Sequence, residues 1–348
     1  MKPLFHINDL HLGAIRTGGT TPATAMQLRQ NLLADFGGLL DMASTDDVLI
    51  NGDWLDTAAI PLSDLLQVYT ITSQWLQREH KPVLYASRGN HDMTKNSAML
   101  SSFDILCELL RERFPRQIFV IHQGMLIGDT NDLYVIPHMA NQDLFELELS
   151  QVPVCAKYLF LHCNVSNNFA AKSDHSLNLS LEQAQTLQVE KIIVAHEHQR
   201  RQYLNGKVEI VGNQVPSSAA DCLGNDIKYA LRITGRGVEW LPTWESKGSF
   251  IEMGWRELTP TSCDFVRVVG KATAVEASAV VTAISSFRKT SQSLVITNAV
   301  EVESVNDGER IEVSLEQIRS FSVLEELLKI LNEDERATVT KLLEKNEA

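Results

Sequence analysis

Apolar positions near the start of the chain come in short unbroken runs, each followed by a polar cluster. Leu4–Ile7, Val48–Ile50, Val83–Tyr85, Tyr158–Leu161 and Ile192–Val194 have strand length and no polar interruption, as in strands of a largely buried sheet. Between them, Ala25–Met42, Ser63–Arg78 and Ser97–Arg113 carry apolar residues at helical spacing with few breakers, and read as crossover helices. Runs alternating with helices over roughly the first 200 residues predict an α/β domain.

Further on, the pattern changes. EIVGNQ, YALRI and GVEWL, separated by glycine-containing turns between Val208 and Leu241, predict a second sheet continuous with the first domain. After the loop at Lys247–Gly248, a strand at Phe265–Val269, a helix at Val275–Phe287 and strands at Leu294–Thr297 and Val300–Val305 make a small α+β appendage. Ser314–Ala348 reads as two helices, the first with Leu315, Ile318, Phe321, Leu324, Leu327, Leu328 and Leu331. Such a pair cannot bury its apolar stripe alone and needs the body or a partner to pack on. The expected division is a main domain over 1–245, a cap over 260–306 and a helical tail over 312–348.

Charge narrows the functions available. Among 348 residues, 44 acidic side chains face 31 basic ones, a net charge of −13, which argues against holding nucleic acid by bulk electrostatics. A protein of this balance that acts on DNA needs metal ions, a local basic patch or a partner. From Glu301 onward acidic side chains outnumber basic ones 13 to 6, so the tail is not that patch. No apolar stretch approaches the roughly 20 residues of a membrane span. Five scattered cysteines without a C-x-x-C pair fit free thiols in a reducing compartment, and MKPLFHI leads straight into polar residues with no export signal, so a cytoplasmic location is expected.

The candidate chemistry lies just after the five runs. Leu4–Ile7 leads into Asn8-Asp9-Leu10-His11, Val48–Ile50 into Asn51-Gly52-Asp53-Trp54-Leu55-Asp56, and Val83–Tyr85 into Gly89-Asn90-His91-Asp92. Tyr158–Leu161 ends in His162, and Ile192–Val194 in Ala195-His196-Glu197-His198. In open α/β sheets, ligand sites form at the carboxyl edge, so these clusters are expected to converge. What converges is imidazole, carboxylate and one amide without thiolate, a donor set suited to manganese, iron or zinc and too large for one ion. The i, i+2 pairs Asp9/His11 and His196/His198 would point the same way on extended backbone. Two ions about 3.5–4 Å apart are a standard device for displacement at phosphorus, so the chemistry implied is phosphoester hydrolysis. His91, beside the ligand candidate Asn90, fits a general acid outside the metals.

These motifs resemble the signature of the calcineurin-like metallophosphoesterases, D-x-H, G-D-x-x-D, G-N-H-D/E, H and G-H-x-H, over roughly residues 1–240. The resemblance implies a four-layer sandwich of two mixed sheets flanked by helices. It also implies that Asp9, His11 and His198 hold one divalent metal, that Asn90, His162 and His196 hold the other, that Asp53 bridges both, and that His91 is the catalytic histidine. Ala195 stands where the family has glycine, a small departure. Within the family, HINDLHLG at 6–13, GDWLDTAAIP at 52–61, GNHD at 89–92 and VGNQVPSSAADCLGNDIKYALRI at 211–233 are similar to SbcD-type and phage recombination nuclease subunits. That likeness implies two manganese ions, DNA as substrate, an SbcC-like SMC-family ATPase docked by the tail, a homodimer, and a bacterial cytoplasm or phage-infected cell. A phosphodiesterase for nucleotides or cyclic nucleotides, and a scaffold without catalysis, are the alternatives on the same fold.

Other residues have competing roles. His6 lies inside the first run and fits core packing. His122 follows Ile118–Ile121 and competes with His162 as the isolated ligand, though Ile118–Gly124 resembles a peripheral hairpin strand. His138 and His175 have no assigned role. Asp56 and Asp92 could orient ligand imidazoles or cap backbone. Trp54 and Phe169 could stack on nucleic acid or pack in the core, and Cys163 is expected to face away from the site. Arg16, Arg88, Lys95, Lys172, Arg200 and Arg201 lie near the motif loops, where they could supply a local positive field.

Overall fold

The computed structural model describes residues 2–16, 18–94, 99–167, 177–224 and 226–303. The expectations for Lys95, Phe169, Lys172, His175 and the helical tail lie outside them. Residues 1–301 form one compact unit; a second, from Val302, lies almost wholly outside the described residues.

The first half of the unit runs β1 (Leu4–Ile7), α1 (Pro22–Met42), β2 (Asp47–Asn51), α2 (Leu62–Leu76), β3 (Leu84–Ser87), α3 (Ser102–Arg113) and β4 (Ile118–Ile121). Helix starts are set locally. Thr21 caps α1 in a reciprocal box with Thr24, with proline in the first turn, and Ser101 caps α3 in the same way with Asp104. β1 to β4 lie side by side and parallel, as strand–helix–strand crossovers require.

A second set follows: β5 (Met125–Ile127), β6 (Leu133–Ile136), α4 (Gln142–Ser150), β7 (Tyr158–His162), β8 (Asn164–Val165), β9 (Asn178–Leu179), α5 (Leu181–Thr186), β10 (Lys191–Ala195), β11 (Arg201–Tyr203) and β12 (Val208–Ile210). Its sheet has the order β11-β12-β10-β7-β6-β5, with β12, β10, β7 and β6 parallel and β11 and β5 antiparallel at the edges. β13 (Ile227–Thr234) and β14 (Gly237–Glu245) return to the first sheet, antiparallel beside β1, giving β14-β13-β1-β2-β3-β4.

Strand alternation builds four layers from these two mixed sheets. In β1, Phe5 and Ile7 face α1 to α3 with Val48, Ile50, Leu84 and Ala86, while Leu4 faces the other sheet. The layer between sheets holds Leu4, Leu49, Ile121, Val135, Phe160, Ile193 and Leu231, all buried. α4 and α5 cover the far side through Phe145, Leu149 and Ala184. Each such Val, Leu, Ile or Phe side chain gains about 1.5–3 kcal/mol by leaving water, which fixes the register of the strands that carry the site. His6 is in the inter-sheet layer, its ring stacked on Phe160 at 5.4 Å, so packing is its role.

Three expectations are corrected. The strands after Val208 do not make one sheet: Val208–Ile210 pairs with β10, whereas β13 pairs with β1 and β14 with β13, because β10 and β1 each offered an open edge in its own sheet. The cap gains a strand, β15 (Phe250–Gly254), parallel to β16 (Phe265–Thr273), and after α6 (Ala277–Thr290) its last two strands are one, β17 (Val295–Glu303). Val266, Val268, Val280, Ile284 and Phe287 form its own core, while Phe265 and Val295 belong to the α1 side of the main core. Ile118–Ile121 is not a hairpin strand but the parallel edge strand beside β3. Among the described residues no helix is long and apolar enough to cross a membrane.

Candidate metal centre

The carboxyl ends of β1, β2 and β3 in one sheet face those of β7 and β10 in the other. Asn51 ties the sheets at this point: its Nδ2 donates to the Leu161 carbonyl at 3.1 Å, and its own carbonyl lies 3.0 Å from His162 Nδ1. The loops leaving the strands are sharply turned. Asp9, His11, Asp53 and His196 all have positive φ, at 51°, 48°, 48° and 92°. Left-handed backbone at non-glycine residues costs on the order of 1–3 kcal/mol each and persists where surroundings over-determine it. Here Asp9 N–H donates to Gly52 O, His11 N–H to Asp53 O and Leu12 N–H to Trp54 O, at 3.0–3.1 Å. Asp9 and His11 therefore converge through a turn, not through the extended backbone expected for an i, i+2 pair.

Two glycines are required by close approach. A Cβ on Gly52, whose φ is +86°, would lie 2.1 Å from His162 Nδ1, and one on Gly89 would lie 2.1 Å from Asp53 Oδ1.

Donor atoms meet in three overlapping groups, Asp9/His11/His198, His11/Asp53/His91 and Asp53/His162/His196, each with its atoms within 4.8 Å of one another. His11 Nε2 and His198 Nε2 are 3.1 Å apart; Asp53 Oδ2 lies 3.3 Å from His162 Nε2 and 3.9 Å from His11 Nε2. Asn90 Oδ1 lies 3.1 Å from His162 Nε2. The structure thus brings together all seven candidate ligands and His91. The set fits divalent cations: it is all nitrogen and oxygen, and the buried Asp9 Oδ1 has no hydrogen-bond partner, a rare state for a buried carboxylate oxygen unless a cation satisfies it.

Charges balance locally. Burial alone would raise the Asp53 carboxyl, but His162, His11 and His91 hold it well below the usual carboxylate range. Burial opposes charge on His162, and Asp53 overrides it, lifting the imidazole to about 9. His196 is pushed down to about 4 by burial and by the charge on His162. Without metal, then, a proton on His162 supplies the positive charge that Asp53 demands.

The supporting residues differ from one another. Asp56 Oδ1 lies 3.2 Å from His11 Nδ1, and its carbonyl 2.5 Å from His91 Nδ1, so one residue steadies two imidazoles. The Asp92 carboxylate accepts from Trp54, Leu55 and Gly89 N–H, tying two motif loops together, and burial plus the Asp53 charge raise it to about 7. Asp221, which sequence reasoning missed, has Oδ1 2.8 Å from His198 Nδ1 while Oδ2 accepts from Ser217 and Ser218 N–H. Only the cluster of serines and an aspartate in a loop hinted at it. His138 also sits here, ring edge-on to His162 at 6.0 Å.

His122 is exposed and is in none of the three donor groups. Trp54 is fully buried against Phe36 and Phe103, and Cys163 packs in the core outside the second sheet. Each described basic residue near the motif loops is engaged. Arg16 pairs with Asp56, Arg88 with Asp104 and Arg201 with Glu197, and Arg200 stacks 3.8 Å over Trp240.

The family model for calcineurin-like phosphoesterases matches residues 2–200, more than half of the chain. The chain belongs to this family, which makes it a metal-dependent hydrolase with an Asp/His cluster fit for metal. No curated protein matches it. Among solved structures it is similar to TT1561 of Thermus thermophilus, at 12% identity over 70% of this chain and 99% of that one, with a TM-score of 0.42.

Proposed function

We propose that the chain is a manganese-dependent phosphodiesterase acting on DNA, the nuclease subunit of an SbcCD-like end-processing complex, assembled as a homodimer with an SbcC-like SMC-family ATPase. One observation carries the dinuclear reading: Asp53 takes part in donor groups on both sides, with His11 and with His162/His196. In this reading Asp9, His11 and His198 hold one ion, Asn90, His162 and His196 the other, and Asp53 both. When bound, two divalent ions contribute Lewis acidity, lowering the pKa of water and drawing charge from phosphoryl oxygens.

The chain's own residues do the rest. His91 is exposed at the site, with Nδ1 fixed by the Asp56 carbonyl. A proton on Nδ1 is committed to that contact, so Nε2 is the atom that hands a proton to the leaving 3′-oxygen. The DNA reading rests on the SbcD-like motifs. Among the described residues beside the loops, Arg16, Arg88 and Arg201 are ion-paired with carboxylates, which supports a nuclease that takes its grip on the duplex from a partner.

Linear duplex DNA and bis-p-nitrophenyl phosphate, each assayed with manganese, test the reading. Cleavage of DNA is expected, strengthened by the ATPase subunit. Turnover of the small ester alone would favour a nucleotide or cyclic-nucleotide phosphodiesterase instead.

A further inference from the structure

Arg16 is not in any motif, yet one of its atoms closes a ring of contacts around half of the metal centre. Its Nη2 lies 3.1 Å from Asp56 Oδ1 and 2.9 Å from Ser217 Oγ. On one side, Asp56 Oδ1 leads to His11 Nδ1 at 3.2 Å. On the other, Ser217 Oγ lies 3.1 Å from Asp221 Oδ2, and Asp221 Oδ1 lies 2.8 Å from His198 Nδ1. The ring closes where His11 Nε2 meets His198 Nε2 at 3.1 Å. The serine hydroxyl has one proton, which goes to Asp221, so its oxygen is left to accept from Arg16.

We propose that Arg16 is a positioning residue that sets His11 and His198, through Asp56 and through Ser217 with Asp221, as a matched pair for one divalent cation. The inference rests on the metal reading above and adds to it that the two sites are supported unequally. Arg16 joins Asp56 by an ion pair and Asp221 through the Ser217 hydroxyl, so one side chain fixes the placement of both carboxylates behind the two imidazoles. Among the described residues nothing equivalent stands behind His162 or His196: His162 Nδ1 is held by the backbone carbonyl of Asn51. Loss of Arg16 should therefore loosen the Asp9/His11/His198 site and leave the other intact. Support of this kind around a ligand imidazole is commonly worth about 10–100-fold in metal affinity.

The experiment is calorimetric titration of manganese into the metal-free full-length protein, comparing wild type with Arg16→Met, Arg16→Lys and Ser217→Ala. Wild type is expected to take up two ions. Arg16→Met should weaken one step by about 10–100-fold and spare the other, Arg16→Lys should recover part of the loss by restoring the cation, and Ser217→Ala, which breaks only one arm, should weaken the same step less. Ser217→Ala keeps the test open if Arg16→Met does not fold. Wild-type affinities for both ions in the foldable variants, or equal weakening of both steps, would overturn the role of Arg16 and leave the metal reading standing. Failure of wild type to bind two ions would remove the metal reading and this inference together.

Discussion

Replacing Gly52 with alanine isolates the tightest constraint in the centre. Two costs add. At φ +86° an alanine Cβ meets its own backbone, at about 1–2 kcal/mol. It would also stand 2.1 Å from His162 Nδ1 and 2.6 Å from its Cγ, where ordinary contact begins near 3.4 Å. His162 is fully buried and held by Asn51 and Asp53, so the ring has no room to retreat. Overpacking of this kind costs about 1–3 kcal/mol, for a sum of roughly 2–5 kcal/mol. Gly38 is the control. It is exposed inside α1 with nothing within 4 Å of a Cβ, and alanine there should gain up to about 1 kcal/mol from helix propensity. Thermal unfolding of the two variants in chelator should move in opposite directions, with Gly52→Ala down by about 4 °C or more at about 2–4 °C per kcal/mol. Displacement of His162 should also weaken manganese uptake. A Gly52→Ala protein that melts with wild type and titrates the same metal would refute the packing argument.

Two further outcomes follow from single residues. His6 is buried among apolar side chains with neither ring nitrogen hydrogen-bonded, and burial pushes it down to about 3. The unfolded chain takes up a proton below about 6.5 that the folded chain refuses, so stability falls as pH drops from about 6.5 toward 3, by about 1.4 kcal/mol per unit. His6→Leu should remove that slope and gain about 2 kcal/mol on wild type between pH 6.5 and 5, read as the difference in melting temperature across pH; parallel curves would count against it. His91→Ala should bind as much manganese as wild type while slowing phosphodiester hydrolysis about 10²–10⁴-fold, and full activity in a metal-loaded variant would take His91 out of the mechanism.

The centre was legible because each motif follows a strand whose apolar run marks it. Leu4–Ile7 has the same limits in sequence and structure, and Asp9, His11, Asp53, Asn90, His162, His196 and His198 meet where the carboxyl-edge rule puts them. What could not be read depends on distant partners. Nothing in Val208–Ile210 or Ile227–Thr234 says which sheet has an open edge, so the two could not be assigned to different sheets. Asp221 stands 23 positions from His198, and only the fold brings them together. Phe250–Gly254 is short and half-buried, without strict alternation, and it becomes a strand because β16 offers it a parallel edge. The left-handed turns at Asp9, His11, Asp53 and His196 fall on residue types that tolerate that region, but Asp and His are common in loops of every kind, and hydrogen bonds between loops far apart in the chain hold the first two turns in place.

Elemental analysis of the purified chain loaded with manganese and desalted tests the central claim most directly, with Asp53→Ala alongside. The shared position of Asp53 predicts about two ions per wild-type chain and loss of at least one in the variant. A wild-type chain that retains no metal, or an Asp53→Ala chain that retains as much as wild type, would contradict it.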